Sequence, residues 1–79
     1  MKRDDLKGVV AAIIEVDPAE LKPETDLRTF PAFDSVNILS LMIALDEQAG
    51  VKLGPEQAAR LQFYGEIEQL AVEQVGLED

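Results

Sequence analysis

The hydrophobic residues of this chain recur every three or four positions in several segments, which is the spacing of one face of an α-helix. The first segment spans residues 4–16, and its apolar positions are Leu6, Val9, Val10 and Ile13. Asp4 or Asp5 can cap the start of this segment. The pattern stops at Asp17, because the residue before a proline disfavours helical backbone. We therefore predict a first helix over residues 4–16.

The longest apolar pattern begins near Ser35 and ends at Gly50, a residue type that often terminates helices. One of its faces is predicted to belong to the core and consists of Ile38, Leu41, Met42, Leu45 and Ala49. A second apolar stripe lies roughly 140° around the same helix, and it consists of Val36, Leu39 and Ile43. A helix that is apolar on two sides is either covered by its own domain or meets a partner.

The connection between these two helices, residues 17–33, contains spaced apolar residues, which indicates a loop that is packed against the domain. Its anchors are Leu21, Leu27, Phe30 and Phe33. After Gly50, Val51 and Leu53 alternate with a polar residue across a short extended piece.

Two more helices are predicted towards the C-terminal end. A short one over residues 55–61 begins at Pro55, a residue type that suits the first helical position. A last one runs from residue 64 or 65 to residue 75, and its apolar face is Phe63, Ile67, Leu70 and Ala71. Together the patterns predict an all-α fold: a small four-helix bundle of three longer helices and one short helix, with a long loop between the first two.

Length and composition limit the class of protein. The chain has 79 residues, of which 47% are hydrophobic and 29% are charged, values typical of one compact domain over residues 1–79. No apolar run approaches the ~20 residues that cross a bilayer, and the first residues do not resemble a secretory signal. We expect a monomeric, cytoplasmic protein without a membrane span.

Two missing residue types exclude several kinds of chemistry. The sequence contains no cysteine and no histidine, so disulfides, thiolate zinc sites and the Ser-His and Cys-His pairs of nucleophilic enzymes are excluded. Sixteen acidic against seven basic residues give a net charge of −9. Because nucleic acids are polyanions, they are not expected as partners. We predict neither a catalytic site nor a metal site in this chain.

The residues Asp34-Ser35-Val36 open the second predicted helix. In most proteins an Asp-Ser pair before an apolar run is simply an N-cap. Here the pair follows a long anchored loop that contains Glu24-Thr25-Asp26-Leu27, and its helix is followed by Gly50-Val51-Lys52-Leu53. With these motifs, the chain resembles the acyl carrier protein family over nearly its whole length.

The resemblance implies that Ser35 is the attachment serine for a 4′-phosphopantetheine arm, which a phosphopantetheinyl transferase moves from coenzyme A. It also implies a carrier without catalytic activity, which presents thioester-bound acyl groups to loading and transferring enzymes with basic docking surfaces. An anionic phosphodiester at a helix start would meet free backbone N–H groups and the positive end of the helix dipole. Asp34 would help to dock the transferase, and helix capping alone is the alternative for this residue.

Three departures from the family pattern indicate a specialised member rather than a carrier of general fatty acid synthesis. Val36 stands where leucine is usual, and Ala32 and Phe33 precede the motif without the usual glycine. Asn37 and Ser40 occupy positions where acidic residues are usual. The resemblance leaves lipid-modifying, polyketide and aminoacyl chemistry open.

The second apolar stripe is the predicted docking surface for partner enzymes. Val36, Leu39 and Ile43 would form its apolar strip, and Asp46 and Glu47 would form a charged rim near the end of the helix. The alternative for Leu39 is burial against the long loop, under one of its phenylalanines.

Three alternative functions stay open at this point. The first is an acidic helical module that binds a basic or amphipathic partner without a prosthetic group. The second is a peptidyl or aminoacyl carrier. The third is a hydrolase that uses Ser35 with Lys7 or Lys52 as its base, although no sequence motif places either lysine for that role.

Overall fold

The computed structural model describes residues 1–78 of the chain. The regular elements in this range are four α-helices: α1 (Arg3–Ile14), α2 (Ser35–Ala44), α3 (Pro55–Arg60) and α4 (Tyr64–Gln74). One π-helical turn, Leu45–Ala49, continues α2 as far as Gly50. Two short 3₁₀ turns, Pro18–Glu20 and Leu27–Thr29, lie in the connection between α1 and α2. The predicted all-α fold, with three longer helices, one short helix and a long first loop, is confirmed.

Strand pairing within residues 1–78 is limited to isolated bridges that join Lys2 to Glu78 and Asp26 to Phe63. In the same range no helix has the length and apolar character needed to cross a membrane.

The core is one apolar cluster to which all four helices and the loops contribute. Leu21 and Leu27 of the long connection are fully buried, and Phe30 and Phe33 pack against the same cluster while half-buried. This confirms that the loop is packed against the helices. In the extended piece after α2, Val51 and Leu53 are buried and Lys52 is exposed, as their alternation predicts.

The predicted core stripe of α2 also faces inward. Leu41 and Leu45 are fully buried, while Ile38, Met42 and Ala49 are partly buried against the core. Ala44 is buried as well. This face packs α2 against the bundle, and the residues at the start of the helix are presented from that packed helix.

The predicted cap of α1 by Asp4 or Asp5 is wrong. The N-cap is Lys2, without a side-chain hydrogen bond, and both acids lie in the first turn. The cause is a contact distant in sequence: Arg3 N donates to Glu78 O at 2.8 Å, and Glu78 N donates to Met1 O at 2.9 Å. This pairing fixes the helix start two or three residues earlier than a cap by Asp4 or Asp5 would, and the two carboxylates then lie in the first turn at the positive end of the helix dipole.

The end and the buried face of α1 also differ from the prediction. The helix ends at Ile14, because Glu15 adopts a left-handed conformation with φ 58°. Leu6 and Val10 are buried as predicted, but the remaining buried positions are Ala11 and Ile14, while Val9 and Ile13 are only half-buried. The inward face is therefore rotated by part of a turn from the predicted one.

The placement of Phe63 on the apolar face of α4 is wrong as well. Phe63 is the N-cap residue and is 42% exposed, whereas Tyr64 is fully buried. The long connection determines this, because Tyr64 N donates to Thr25 O at 2.9 Å and Gly65 N donates to Pro23 O at 3.0 Å. A Cβ at Gly65 would lie 2.8 Å from Pro23 O, so this close backbone approach requires glycine.

Candidate functional site

Ser35 is the first residue of α2, and its side chain is exposed. Asp34 is the N-cap: its Oδ1 accepts a hydrogen bond from Asn37 N at 2.9 Å, and its carbonyl accepts one from Ile38 N at 2.8 Å. The first amides of a helix have no acceptor within the helix, and those of Ser35 and Val36 have none elsewhere among residues 1–78. Two free backbone donors therefore lie at and next to Ser35.

The first turn of α2 differs in charge from the first turns of the other helices. Among the helices of residues 1–78, α1, α3 and α4 each carry at least one acidic residue in the first turn, and α2 carries none. The Asp34 carboxylate caps the helix through Asn37 N, but no acidic side chain lies within the first turn itself, beside Ser35 at the positive end of the helix dipole.

The loop in front of Ser35 is held by hydrogen bonds to its own backbone and to α2. Phe33 N donates to Phe30 O at 3.0 Å, and Asp34 N donates to Ala32 O at 3.0 Å. Asn37 Nδ2 also donates to Ala32 O, at 2.7 Å. Sequence reasoning treats Asn37 only as a position without an acid, and no periodic pattern reveals this side-chain contact.

A groove of about 460 Å³ includes Asp34 and Asn37 on its lining, together with Glu15 from the end of α1. Its other walls are apolar or small: Ile14, Val16, Pro31 and Ala32. The two carboxylates make this side of the site acidic.

The second apolar stripe of α2 lies on the protein surface. Val36 is 72% exposed, Leu39 is 57% exposed and Ile43 is 52% exposed. The alternative in which Leu39 is buried under the phenylalanines of the loop is therefore wrong. Leu39 and Ile43 also line a largely apolar groove of about 280 Å³, whose other wall includes Leu53 and Gly54. The stripe thus continues into a concave surface.

The two acidic residues at the end of this surface differ in their ion pairing. Asp46 and Glu47 both lie in the π-helical turn and are exposed. Asp46 Oδ1 is paired with Lys52 Nζ at 2.5 Å, whereas no ion pair of Glu47 occurs within residues 1–78. Lys52 is in turn positioned by Gln74, which accepts from Lys52 N at 2.6 Å and donates to Lys52 O at 2.8 Å. Sequence reasoning misses this pairing because the turn at Gly50 brings the two charges together.

A second polar cluster joins α1 to α4. Arg3 Nη1 contacts Glu68 Oε1 at 2.7 Å, and Glu68 is only 6% exposed. The Tyr64 hydroxyl and Glu68 Oε2 are buried without a hydrogen-bond partner among the described residues. Burial, and after it the negative charge of Glu68, raise the pKa of Tyr64 above its usual range. None of these residues lines either groove near Ser35 or Leu39.

The sequence is also similar to a known protein family. A family model described as "Phosphopantetheine attachment site" matches residues 4–71, which include Ser35 and the whole of α2 and α3. An acyl carrier protein of Helicobacter pylori (strain G27) is 31% identical over 64 residues, a match that covers 81% of this chain and 82% of the relative. An acyl carrier protein of Wolinella succinogenes is 30% identical over 64 residues, which cover 81% of this chain and 84% of the relative.

Proposed function

Because the chain belongs to the acyl carrier protein family, it is a carrier without catalytic activity of its own, and we propose that Ser35 bears its 4′-phosphopantetheine arm. This prosthetic group is covalent and derives from coenzyme A. When bound, the arm supplies the terminal thiol on which acyl groups are held as thioesters, a sulfur that a chain without cysteine does not contain. The proposed role is to carry acyl or related intermediates and to present them to partner enzymes.

The observation that carries the proposal is the position of Ser35. Its hydroxyl is exposed at the first residue of α2, beside two backbone amides that lack acceptors within residues 1–78. A phosphodiester anion fits this place, because helix N-termini bind phosphate through free N–H groups and the dipole. Ser40, the other serine of α2, lies more than one turn further on and is half-buried, so it lacks these features.

The residues next to Ser35 have proposed roles in loading. Transfer of the arm from coenzyme A needs no base in this chain, because a phosphopantetheinyl transferase supplies the chemistry. Asp34 stabilises the start of α2 as its cap, and we assign it a second role as a contact for the transferase. A cap that is exposed and next to the acceptor hydroxyl suits both roles.

The outer face of α2 is the proposed docking surface for the transferase and for acyl-loading and acyl-transferring enzymes. Val36, Leu39 and Ile43 would provide a central apolar anchor, and Asp46 and Glu47 would provide a rim for basic residues of the partner. Since Asp46 is already paired with Lys52, Glu47 contributes the less compensated charge of the two.

The pathway is proposed only as a class. The non-acidic residues Asn37 and Ser40 on α2, together with the apolar docking strip, favour a specialised carrier for lipid, polyketide or aminoacyl chemistry with dedicated partner enzymes. A cytoplasmic location stays a prediction from the sequence.

Intact-mass measurement tests the proposal directly. The purified protein is incubated with coenzyme A, magnesium and a broad-specificity phosphopantetheinyl transferase, and it should gain the mass of one phosphopantetheine. Ser35→Ala should gain none, while the matched variant Ser40→Ala should gain one. Far-UV circular dichroism checks that both variants are helical. An unchanged mass of the wild-type protein, beside a working control carrier, would falsify the assignment of Ser35 as an acceptor for this transferase.

A further inference from the structure

We propose that Asn37 is a positioning residue for Ser35, because its side-chain amide holds the preceding loop so that Asp34 and Ser35 keep one arrangement. The inference rests on the proposed attachment at Ser35, and it identifies the residue that prepares this site for loading.

Three hydrogen bonds connect Ala32, Asp34 and Asn37 into a closed ring. Asn37 Nδ2 donates to Ala32 O at 2.7 Å, Asp34 N donates to the same carbonyl at 3.0 Å, and Asn37 N donates to Asp34 Oδ1 at 2.9 Å. Ser35 and Val36 lie between the members of this ring, and both are exposed. The ring therefore fixes the backbone on either side of Ser35 while its hydroxyl stays accessible.

The bond from the Asn37 side chain to the Ala32 carbonyl requires a hydrogen-bond donor at position 37. Among the described residues, Asn37 is the one α2 residue whose side chain donates a hydrogen bond to the loop. An ionised aspartate of nearly the same shape accepts hydrogen bonds but donates none. At position 37 it would place a negative charge against the Ala32 carbonyl. The amide explains why this position suits asparagine in a chain that is otherwise rich in acids.

The loss of this bond predicts a specific kinetic pattern. Without it the loop and the Asp34 cap sample additional arrangements, and only a fraction of molecules presents Ser35 in the arrangement that the transferase binds. When only a fraction of the molecules is competent to bind, the apparent dissociation constant rises as that fraction falls. The rate of transfer within the complex with the transferase does not change. For one hydrogen bond, the KM for the carrier should rise about two- to tenfold with kcat unchanged.

The experiment compares Asn37→Ala and Asn37→Asp with the matched charge control Ser40→Asp. Loading by a broad-specificity transferase with coenzyme A gives kcat and KM for each protein, and thermal unfolding gives its stability. Both Asn37 variants should raise KM at unchanged kcat while remaining folded, and Ser40→Asp should not raise KM. The alanine variant separates the loss of the donor from the gain of a charge.

Amide hydrogen exchange provides a readout that does not depend on loading. In Asn37→Ala, the amides of Asp34 and Asn37 should exchange faster, while the amide of Lys52, which is bonded to Gln74 Oε1, should exchange at the wild-type rate. A normal KM for Asn37→Ala, unchanged exchange at Asp34, or an equal effect of Ser40→Asp would each overturn the positioning role. If the wild-type protein is not loaded at all, the proposed attachment at Ser35 is wrong, and the proposed role of Asn37, which depends on it, is wrong as well.

Discussion

Two regions depart from the rule that apolar side chains are buried and charged ones exposed. The outer face of α2 exposes apolar side chains, and the contact between α1 and α4 buries a charged one. On α2, Val36, Leu39 and Ile43 are apolar and more than half exposed. Between α1 and α4, Glu68 is charged and almost fully buried beside Tyr64, with Arg3 as its partner. The two regions belong to one small helical protein, yet they affect its folding free energy in different ways.

The difference separates a surface that we propose for a partner from a contact that holds the fold. Exposed apolar side chains add little to folding stability, because they stay in water in the folded state, and they become useful when another protein covers them. A buried carboxylate costs free energy unless it is paired, so Glu68 is compatible with the fold because Arg3 lies against it. Variants of these two regions should therefore affect different measurements.

The largest expected effect is a loss of folding stability, and it is tested on two leucines of α2 that are two positions apart. Leu41 is fully buried and Leu39 is 57% exposed. Leu41→Ala should lower the free energy of unfolding by about 3 kcal/mol, because it leaves a cavity. Leu39→Ala should lower it by less than about 1 kcal/mol, because little apolar surface leaves the interior. Urea unfolding followed by circular dichroism measures both, and equal losses would show that the exposed stripe takes part in core packing.

A smaller loss is expected when the polar cluster between α1 and α4 is broken. Arg3→Ala leaves Glu68 buried without this cation, and loss of one partner of a buried ion pair is strongly destabilising. Because the Arg3 side chain is 35% exposed, solvent screening reduces the effect to about 2 kcal/mol. Lys2→Ala removes the same charge from an exposed neighbour and should cost less than about 0.5 kcal/mol. Similar losses in the two variants would mean that the Arg3–Glu68 contact does not hold α1 in place.

Loading should respond to the exposed stripe rather than to the polar cluster. Leu39→Ala should lower the kcat/KM of arm transfer about five- to thirtyfold, which corresponds to about 1–2 kcal/mol of lost docking energy. Val72→Ala truncates a comparably exposed residue of α4, 47% exposed, and should be loaded at the normal rate. Arg3→Ala, assayed under conditions where it is folded, should also be loaded normally. A normal rate for Leu39→Ala would remove Leu39 from the docking surface.

The smallest effect is a dependence of stability on alkaline pH. An unfolded tyrosine ionises near pH 10, whereas burial and the charge of Glu68 raise the pKa of Tyr64 in the folded protein. Above pH 10 the unfolded state therefore releases a proton that the folded state retains, and stability falls by up to about 1.4 kcal/mol per pH unit. Tyr64→Phe has no such proton, so its stability should fall less between pH 9 and pH 11. Parallel curves for the two proteins, measured by urea unfolding, would contradict this.

The sequence predicts best what depends on neighbouring residues. The repeat of apolar positions identifies the three longer helices, and Pro55 marks the start of the short one. The repeat also assigns Leu41 and Leu45 to the core and Leu39 to a separate stripe, because helical geometry relates these positions directly. The start of α2 at Ser35 follows for the same reason, since Asp34 is a strong cap next to the apolar run.

The features that escape the sequence arise from contacts between distant segments. The start of α1 depends on Glu78, and the burial of Tyr64 in place of Phe63 depends on Thr25 and Pro23. In the candidate site, the Asp46–Lys52 pair and the bond from Asn37 to Ala32 depend on how turns bring side chains together. None of these contacts produces a periodic pattern, so only the folded chain reveals them.

The pairing of Arg3 and Glu78 also has a topological consequence, because it places the two ends of the described chain side by side. A short linker could close these ends into a ring with little loss of chain entropy. New ends could then be opened in an exposed part of the connection such as the turn Pro18–Glu20, which has no buried residue, since permuted chains are tolerated best at exposed sites. In such a permuted protein Ser35 would still head its helix, while the connection that now joins α1 to α2 would become the two free arms of the chain.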